Sequence, residues 1–174
     1  MLVMALGGAM GPHQGSDQSD QNLSIRAVRF YRADAKQTRV KAFVQVPYEI
    51  MVPTTDDQNG QLSYDVSVQV SDSTGLKLYQ TGWKNHVSAA MREPGAFAMD
   101  MVDFALAPGK YRLEVAVSDS VSGHKLSTGV DVDAFSTPPA ASDLMLAPGM
   151  RLATGDDTVP RPGELRRGNT LITA

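Results

Sequence analysis

"LAPGKYRLEVAVSDSVSGHKL", residues 106–126, decides the fold. Tyr111, Leu113, Val115 and Val117 fall on one side, with Arg112, Glu114 and Ser118 on the other. That period of two is the pattern of a strand with one face buried. Pro108-Gly109 reads as a tight turn ahead of it, Pro presetting φ and Gly accepting a positive one. A tyrosine hydroxyl so close to a strand start is placed to bond a backbone group, as in a tyrosine corner. The alternation breaks at Asp119 and resumes after Gly123 as the return strand of a hairpin.

The same period extends in both directions. "QLSYDVSVQVSDSTG" sets Leu62, Tyr64, Val66, Val68 and Val70 inward against Ser63, Asp65, Ser67 and Gln69, and "LKLYQ" is its hairpin partner. "TRVKAFVQVPY" alternates Val40, Ala42, Val44 and Val46 with polar residues until Pro47 removes a ladder donor. In "LSIRAVRFYR", Val28 and Phe30 are out of phase with Leu23, Ile25 and Ala27, which predicts a bulge or a two-sided strand. "EIMVP" and "SDLMLA" read as short strands, and "AFAMDMVDFAL" as a strand with Phe97, Met99, Met101 and then Phe104 or Leu106 inward. "TGWKNHVSAAMREPG" lacks alternation and reads as an irregular segment with a helical turn or two between Val87 and Arg92.

About nine strands at regular spacing, with no long helix, predict an all-β, Ig-like antiparallel β-sandwich over residues 23–147. It is flanked by an apolar segment and polar linker (1–22) and an irregular, extended C-terminal arm (148–174). In that arm only "TLIT" reads as a strand. The hairpins "VQVSDSTGLKL" and "VAVSDSVSGHKL" echo each other, as two turns with one chemistry would.

A length of 174 residues suits one domain with appended arms. A net charge of −3 gives no bulk attraction to nucleic acid. Charge is nevertheless segregated: Arg26, Arg29, Arg32, Lys36, Arg39 and Lys41 fall within residues 24–45, and five acids with no base follow within 49–72. These are either two solvated strand faces or a basic patch for an acidic partner. The absence of cysteine removes disulfides, thiol catalysis and thiolate metal sites. "MLVMALGGAM" is too short to span a bilayer, which takes about 20 residues. It matches the apolar core of a secretory signal, with Gly7 and Ala9 placed for cleavage. If retained, residues 1–10 would suit contact with a partner or a membrane surface.

Chemistry is sparse. A Ser122–His124–Asp119 triad is drawn easily on paper, but side chains so close on one turn rarely face each other, and no nucleophile elbow precedes a serine. Asp56 and Asp57 in "DDQNG", and Asp156 and Asp157 in "GDD", offer oxygens to Ca²⁺ without the spacing of a calcium loop, and Asx-Gly turns are the usual reason for such clusters. No catalytic residue, metal site or cofactor is expected. The residues singled out for partner contact are Trp83 with Lys84 and His86, then Arg26, Arg29, Arg151, Arg166 and Arg167. Trp83 either stacks on a sugar ring or a partner pocket, or plugs one end of the core.

"DFALAPGKYRLEVAVSDSVSGHKLSTGVDVDAF" with the following "SDLMLA" resembles the Ig-like sandwich that precedes the GWxTD domain in bacterial envelope proteins. The likeness covers residues 62–147; the GWxTD domain is absent, and "TGWKN" is a chance Gly-Trp. The resemblance implies a periplasmic sandwich without enzymatic activity. More loosely, the chain is similar to accessory periplasmic subunits of bacterial membrane complexes, such as photosynthetic reaction-centre–antenna assemblies. The expectation is therefore an exported interaction subunit docking on a larger membrane-associated complex. The alternative is a carbohydrate-binding module that uses Trp83.

Overall fold

The computed structural model describes residues 23–55, 60–144, 147, 149–157 and 160–173. Its strands are β1 (Ser24–Arg32), β2 (Gln37–Pro47), β3 (Gln61–Asp72), β4 (Lys77–Ser88), β5 (Phe97–Leu106), β6 (Gly109–Asp119) and β7 (Lys125–Ala134), then β8 (Gly149–Leu152), β9 (Glu164–Arg167) and β10 (Thr170–Thr173). All pairings are antiparallel, in sheets of order β1-β2-β5, β4-β3-β6-β7 and β8-β10-β9. The chain is an all-β sandwich with a small third sheet at its C-terminal end.

The core is made by the alternations that were legible. Val40, Ala42, Val44 and Val46 of β2 face Leu62, Tyr64, Val66, Val68 and Val70 of β3 and Leu113, Val115 and Val117 of β6, all buried. These β-branched and aliphatic rows fill the space between two stacked sheets, which is about 10 Å deep in such folds. The corner before β6 forms as expected, with the Tyr111 hydroxyl donating to Ala107 O at 3.0 Å. Gly109 opens the strand itself. Its requirement is steric, because an added Cβ would stand 3.2 Å from the Tyr111 hydroxyl.

The two echoing turns share one device. Asp72 Oδ1 accepts from Thr74 N–H, Thr74 Oγ1 and Leu76 N–H. Asp119 Oδ2 accepts from the Ser122 N–H and hydroxyl, and Gly75 and Gly123 both take positive φ. Each aspartate caps its own turn, as Asx chemistry does.

Several expectations are corrected. Of the two readings of β1 the two-sided strand holds and the bulge does not: it pairs with β2 residue for residue, Ile25 and Ala27 packing on the core and Val28 and Phe30 half-buried on the other face. "EIMVP" forms no strand: Tyr48–Ile50 is a 3-10 turn, whose spacing buries Tyr48 and Met51 together three residues apart. Trp83 sits within β4 instead of an irregular segment, and the helical turn shrinks to Ala89–Met91. β4 was obscured because its inner row, Thr81, Trp83, Asn85 and Val87, mixes polar and apolar side chains. On β5 Phe104 and Leu106 are buried as expected, but the first half presents the opposite face: Ala98 and Val102 are buried, and Phe97, Met99 and Met101 lie outside. Either choice turns one aspartate inward, and the chain turns Asp100 in and leaves Asp103 between Arg39 and Lys41.

Ser142–Leu144 forms no strand, while the C-terminal arm holds three strands where one was expected. Four-residue strands carry too little periodicity to be read from sequence. Leu171 is buried at the centre of this small sheet. β9 lies against β5, where Gly163 N–H donates to Phe97 O at 3.0 Å.

Candidate functional site

The candidate basic residues divide by what already holds them. Arg29, on the inward row of β1, grips Asp143 through Nε at 2.8 Å and Nη2 at 3.0 Å. Its Nη1 donates to Asp133 O at 2.9 Å, and the guanidinium lies 4.8 Å from the Phe135 ring centre. Planar bidentate pairing of this kind fixes geometry as well as charge. The Arg29 bond holds the Asp143 carboxyl below its ordinary pKa. This arginine therefore fastens the segment after β7 to the edge of β1.

Arg151 on β8 plays the same part in the small sheet. It pairs with Asp157 at 2.7 and 2.8 Å and with Glu164 at 2.8 and 2.9 Å. Both carboxyls are held below their ordinary range, first by that guanidinium and further by the Thr154 and Arg161 backbone N–H groups respectively. Arg166 donates to Asp157 O and Gly168 O, closing the loop around the same centre. Arg167 occupies β9, and its side chain lies outside the described residues. So do residues 1–22, with the apolar segment and His13, and the Asp56/Asp57 pair.

On β4, Lys84 approaches Asp65 at 3.5 Å and His86 Nδ1 meets Ser63 Oγ at 2.7 Å, both across the β3–β4 pairing. Trp83 is half-buried and packs against the core. Its indole is directed at Asp100, whose Oδ2 also accepts from Asn85 Nδ2 at 2.9 Å. Asn85 reaches the Tyr64 hydroxyl at 3.0 Å as well. Burial raises the Asp100 pKa, and the Asn85 and Trp83 bonds oppose that rise only in part. Burial likewise pushes Tyr48 up to about 12, with the nearby Asp100 charge adding to it. This polar seam between β4 and β5 was missed, because Asp100 reads as an outward residue on a face that turned out to be the inner one.

Ser122 and Asp119 do meet, as the turn described above, and His124 joins them through its backbone: its N–H donates to Ser122 Oγ at 3.2 Å. Asp119 is buried, which would raise its pKa, but the Ser122 bonds outweigh burial and hold it low. No group of three metal-ligating side chains occurs among the described residues.

Two concavities among the described residues stand out. A shallow trough of about 430 Å³ crosses the outer face of the four-stranded sheet over the small residues Ser67, Ala116, Ser127 and Gly129. A larger groove, about 790 Å³, lies between the outer face and free edge of β1 and the small C-terminal sheet. Phe43, Met99, Leu165 and Ile172 form its walls, with Arg26 at its rim. Arg26 is exposed and has no acidic partner among the described residues. Beside it stand Leu144, Met150 and Leu152, exposed to 79%, 72% and 70%. Met150 and Leu152 share a face with Ile172, so the apolar surface runs from the small sheet into the groove.

No helix of the described residues is long and apolar enough to cross a membrane. No protein-family model matches this chain, and a search of curated proteins finds no significant match.

Proposed function

We propose that the protein is a non-enzymatic interaction subunit, an exported Ig-like sandwich that docks on a larger envelope or membrane-associated complex. The observation that carries this reading is the exposed apolar face of Met150 and Leu152, continuous through Ile172 with the groove that the exposed Leu144 also lines. Large apolar side chains gathered on one face of a soluble domain mark interaction surfaces. The Ig-like part is supported by the strand order β1-β2-β5 against β4-β3-β6-β7 and by the tyrosine corner at the start of β6. Photosynthetic reaction-centre–antenna assemblies are one class of partner that fits the sequence resemblance.

The test is co-purification of the tagged chain from detergent-solubilised membranes of its own source. Leu144→Ser, Met150→Ser and Leu152→Ser together should abolish recovery of a stoichiometric partner while the urea midpoint stays unchanged. Recovery of the same partner by the triple variant would overturn the reading.

A further inference from the structure

β4 and β5 are the end strands of their sheets, and their inner side chains meet along one flank of the sandwich. Two clasps join them there. Tyr79 stacks on Phe104 with ring centres 5.7 Å apart, and further along both strands Trp83 and Asn85 meet Asp100. The first clasp is apolar; the second is a carboxyl set between two sheets. Asn85 Nδ2 donates to Asp100 Oδ2 at 2.9 Å and to the Tyr64 hydroxyl at 3.0 Å, and the Trp83 indole supplies the second donor to the carboxyl. Val44 is the β2 partner of Asp100, and Ala98 and Val102 are its neighbours on the inner face of β5. The titratable groups that face it are Tyr64 of β3 and Tyr48 of the 3-10 turn, and burial keeps both phenols protonated. No cation faces it among the described residues, because Lys84 and His86 project from the other face of β4, to Asp65 and Ser63.

We propose that Asp100 is a proton-operated latch on this flank: neutral, it closes the seam between β4 and β5; ionised, it admits water and lets residues 83–88 of β4 open. A buried charge costs far more than the buried neutral acid, and two neutral donors without a counter-charge offset only part of that cost. Burial lifts the Asp100 pKa for this reason, so the latch works above the ordinary value of about 3.9. The sign follows: the closed form is complete in acid, and the seam weakens as pH rises through the folded value. A strand at the end of a sheet, paired on one side and followed by the short turn Ala89–Met91, is the kind of segment that opens locally. The Tyr79–Phe104 stack does not titrate in this range and holds the other half of β4 in place. The latch goes beyond the docking reading above and does not rest on it.

The chain's lone tryptophan reports on the latch. Trp83 emission from the full chain, titrated from acid to neutral pH, should pass through one transition with a midpoint above the ordinary aspartate value of about 3.9. The carboxyl carbon of Asp100 in the ¹³C-labelled protein should share that midpoint. The transition should vanish in Asp100→Asn and persist in His86→Gln. Ala89 N–H donates to Gly60 O at 2.8 Å, so by alternation the Trp83 and Asn85 N–H groups also face β3 and are protected. At neutral pH these two amides should exchange about fivefold faster than in Asp100→Asn, through an opening that low urea does not accelerate, whereas Leu113 and Val115 of β6 should follow urea. In acid the two proteins should exchange alike. A flat emission profile, a transition that survives in Asp100→Asn, or a carboxyl midpoint at or below the ordinary value overturns the proposal. So does exchange at Trp83 and Asn85 that rises with urea as steeply as at Leu113, since the strand then opens only when the whole sandwich does. The carboxyl titration and the urea dependence need no variant, so they decide even if Asp100→Asn fails to fold.

Discussion

Replacing Arg29 by Met should loosen the whole flank of the sandwich where β1 meets the segment after β7. Three of its nitrogens are engaged, at 2.8 and 3.0 Å to Asp143 and 2.9 Å to Asp133 O, and its plane covers Phe135. A shielded hydrogen bond to a charged group contributes about 1.5–3 kcal/mol, and an exposed cation–π contact about 0.5–1 kcal/mol. Both partners of the ion pair are 30% exposed, so water and salt recover part of that, and a net loss of about 2 kcal/mol is expected. With a urea dependence of about 2 kcal/mol per molar, the midpoint should fall by about 1 M at unchanged slope. In a cycle with Asp143→Asn, the coupling should be about 1 kcal/mol at pH 7. The sign with pH follows from the lowered Asp143 pKa. Its contribution is complete above the unfolded value of about 3.9 and is lost as pH falls through the lower folded value, so the coupling should vanish in acid. A coupling indistinguishable from zero at pH 7 and low salt would refute the reasoning.

Asp100 carries the opposite sign. Its pKa is raised in the folded state, so it costs stability as pH rises through the range between its unfolded and folded values. Asp100→Asn should therefore raise the urea midpoint at pH 7, with the gain shrinking towards zero below about pH 4; a constant difference from pH 3 to 7 would sink the idea. Tyr111→Phe removes only the bond to Ala107 O and should cost about 1 kcal/mol in the same assay. Gly163→Ala must place a side chain at φ +75° and 3.2 Å from the Phe97 ring. A cost of about 1–2 kcal/mol for the backbone alone should appear as faster amide exchange across β8–β10 while β3 and β6 are unaffected. Finally, emission from Trp83 should not respond to a panel of oligosaccharides, because the ring packs against the core; a saturable shift would revive the glycan reading.

Where sequence and structure part, burial chemistry is the reason. β2, β3 and β6 were legible because their inner rows are apolar through the centre of each strand and their outer rows are polar apart from Phe43 and Ala116. β4 and β5 break that rule together: Asn85 and Asp100 satisfy each other across the interior, and a polar pair that is mutually hydrogen-bonded hides from any pattern that expects polar residues in water. The charged candidates were visible as residues, but their partners were not: Asp143 lies more than a hundred positions from Arg29, and the acids that hold Arg151 lie in a segment read as irregular. Arg29, Arg151 and Arg166 prove to be internal fasteners, and Arg26 has no acidic partner among the described residues. The groove was illegible because one wall is built by strands too short to announce themselves.

The manner in which the small C-terminal sheet is secured has a consequence for how the molecule comes apart. Its centre is one buried leucine, Leu171, its strands are bound to one another by the Arg151 cluster, and Gly163 N–H joins it to Phe97 O of β5. The large sandwich, by contrast, closes over three long valine-rich rows. Charged fasteners weaken in salt while apolar rows do not. High ionic strength should thus open the small sheet from within as a separate unit, before the sandwich melts. That makes salt, and not heat, the condition under which this chain would change its outline without losing its fold.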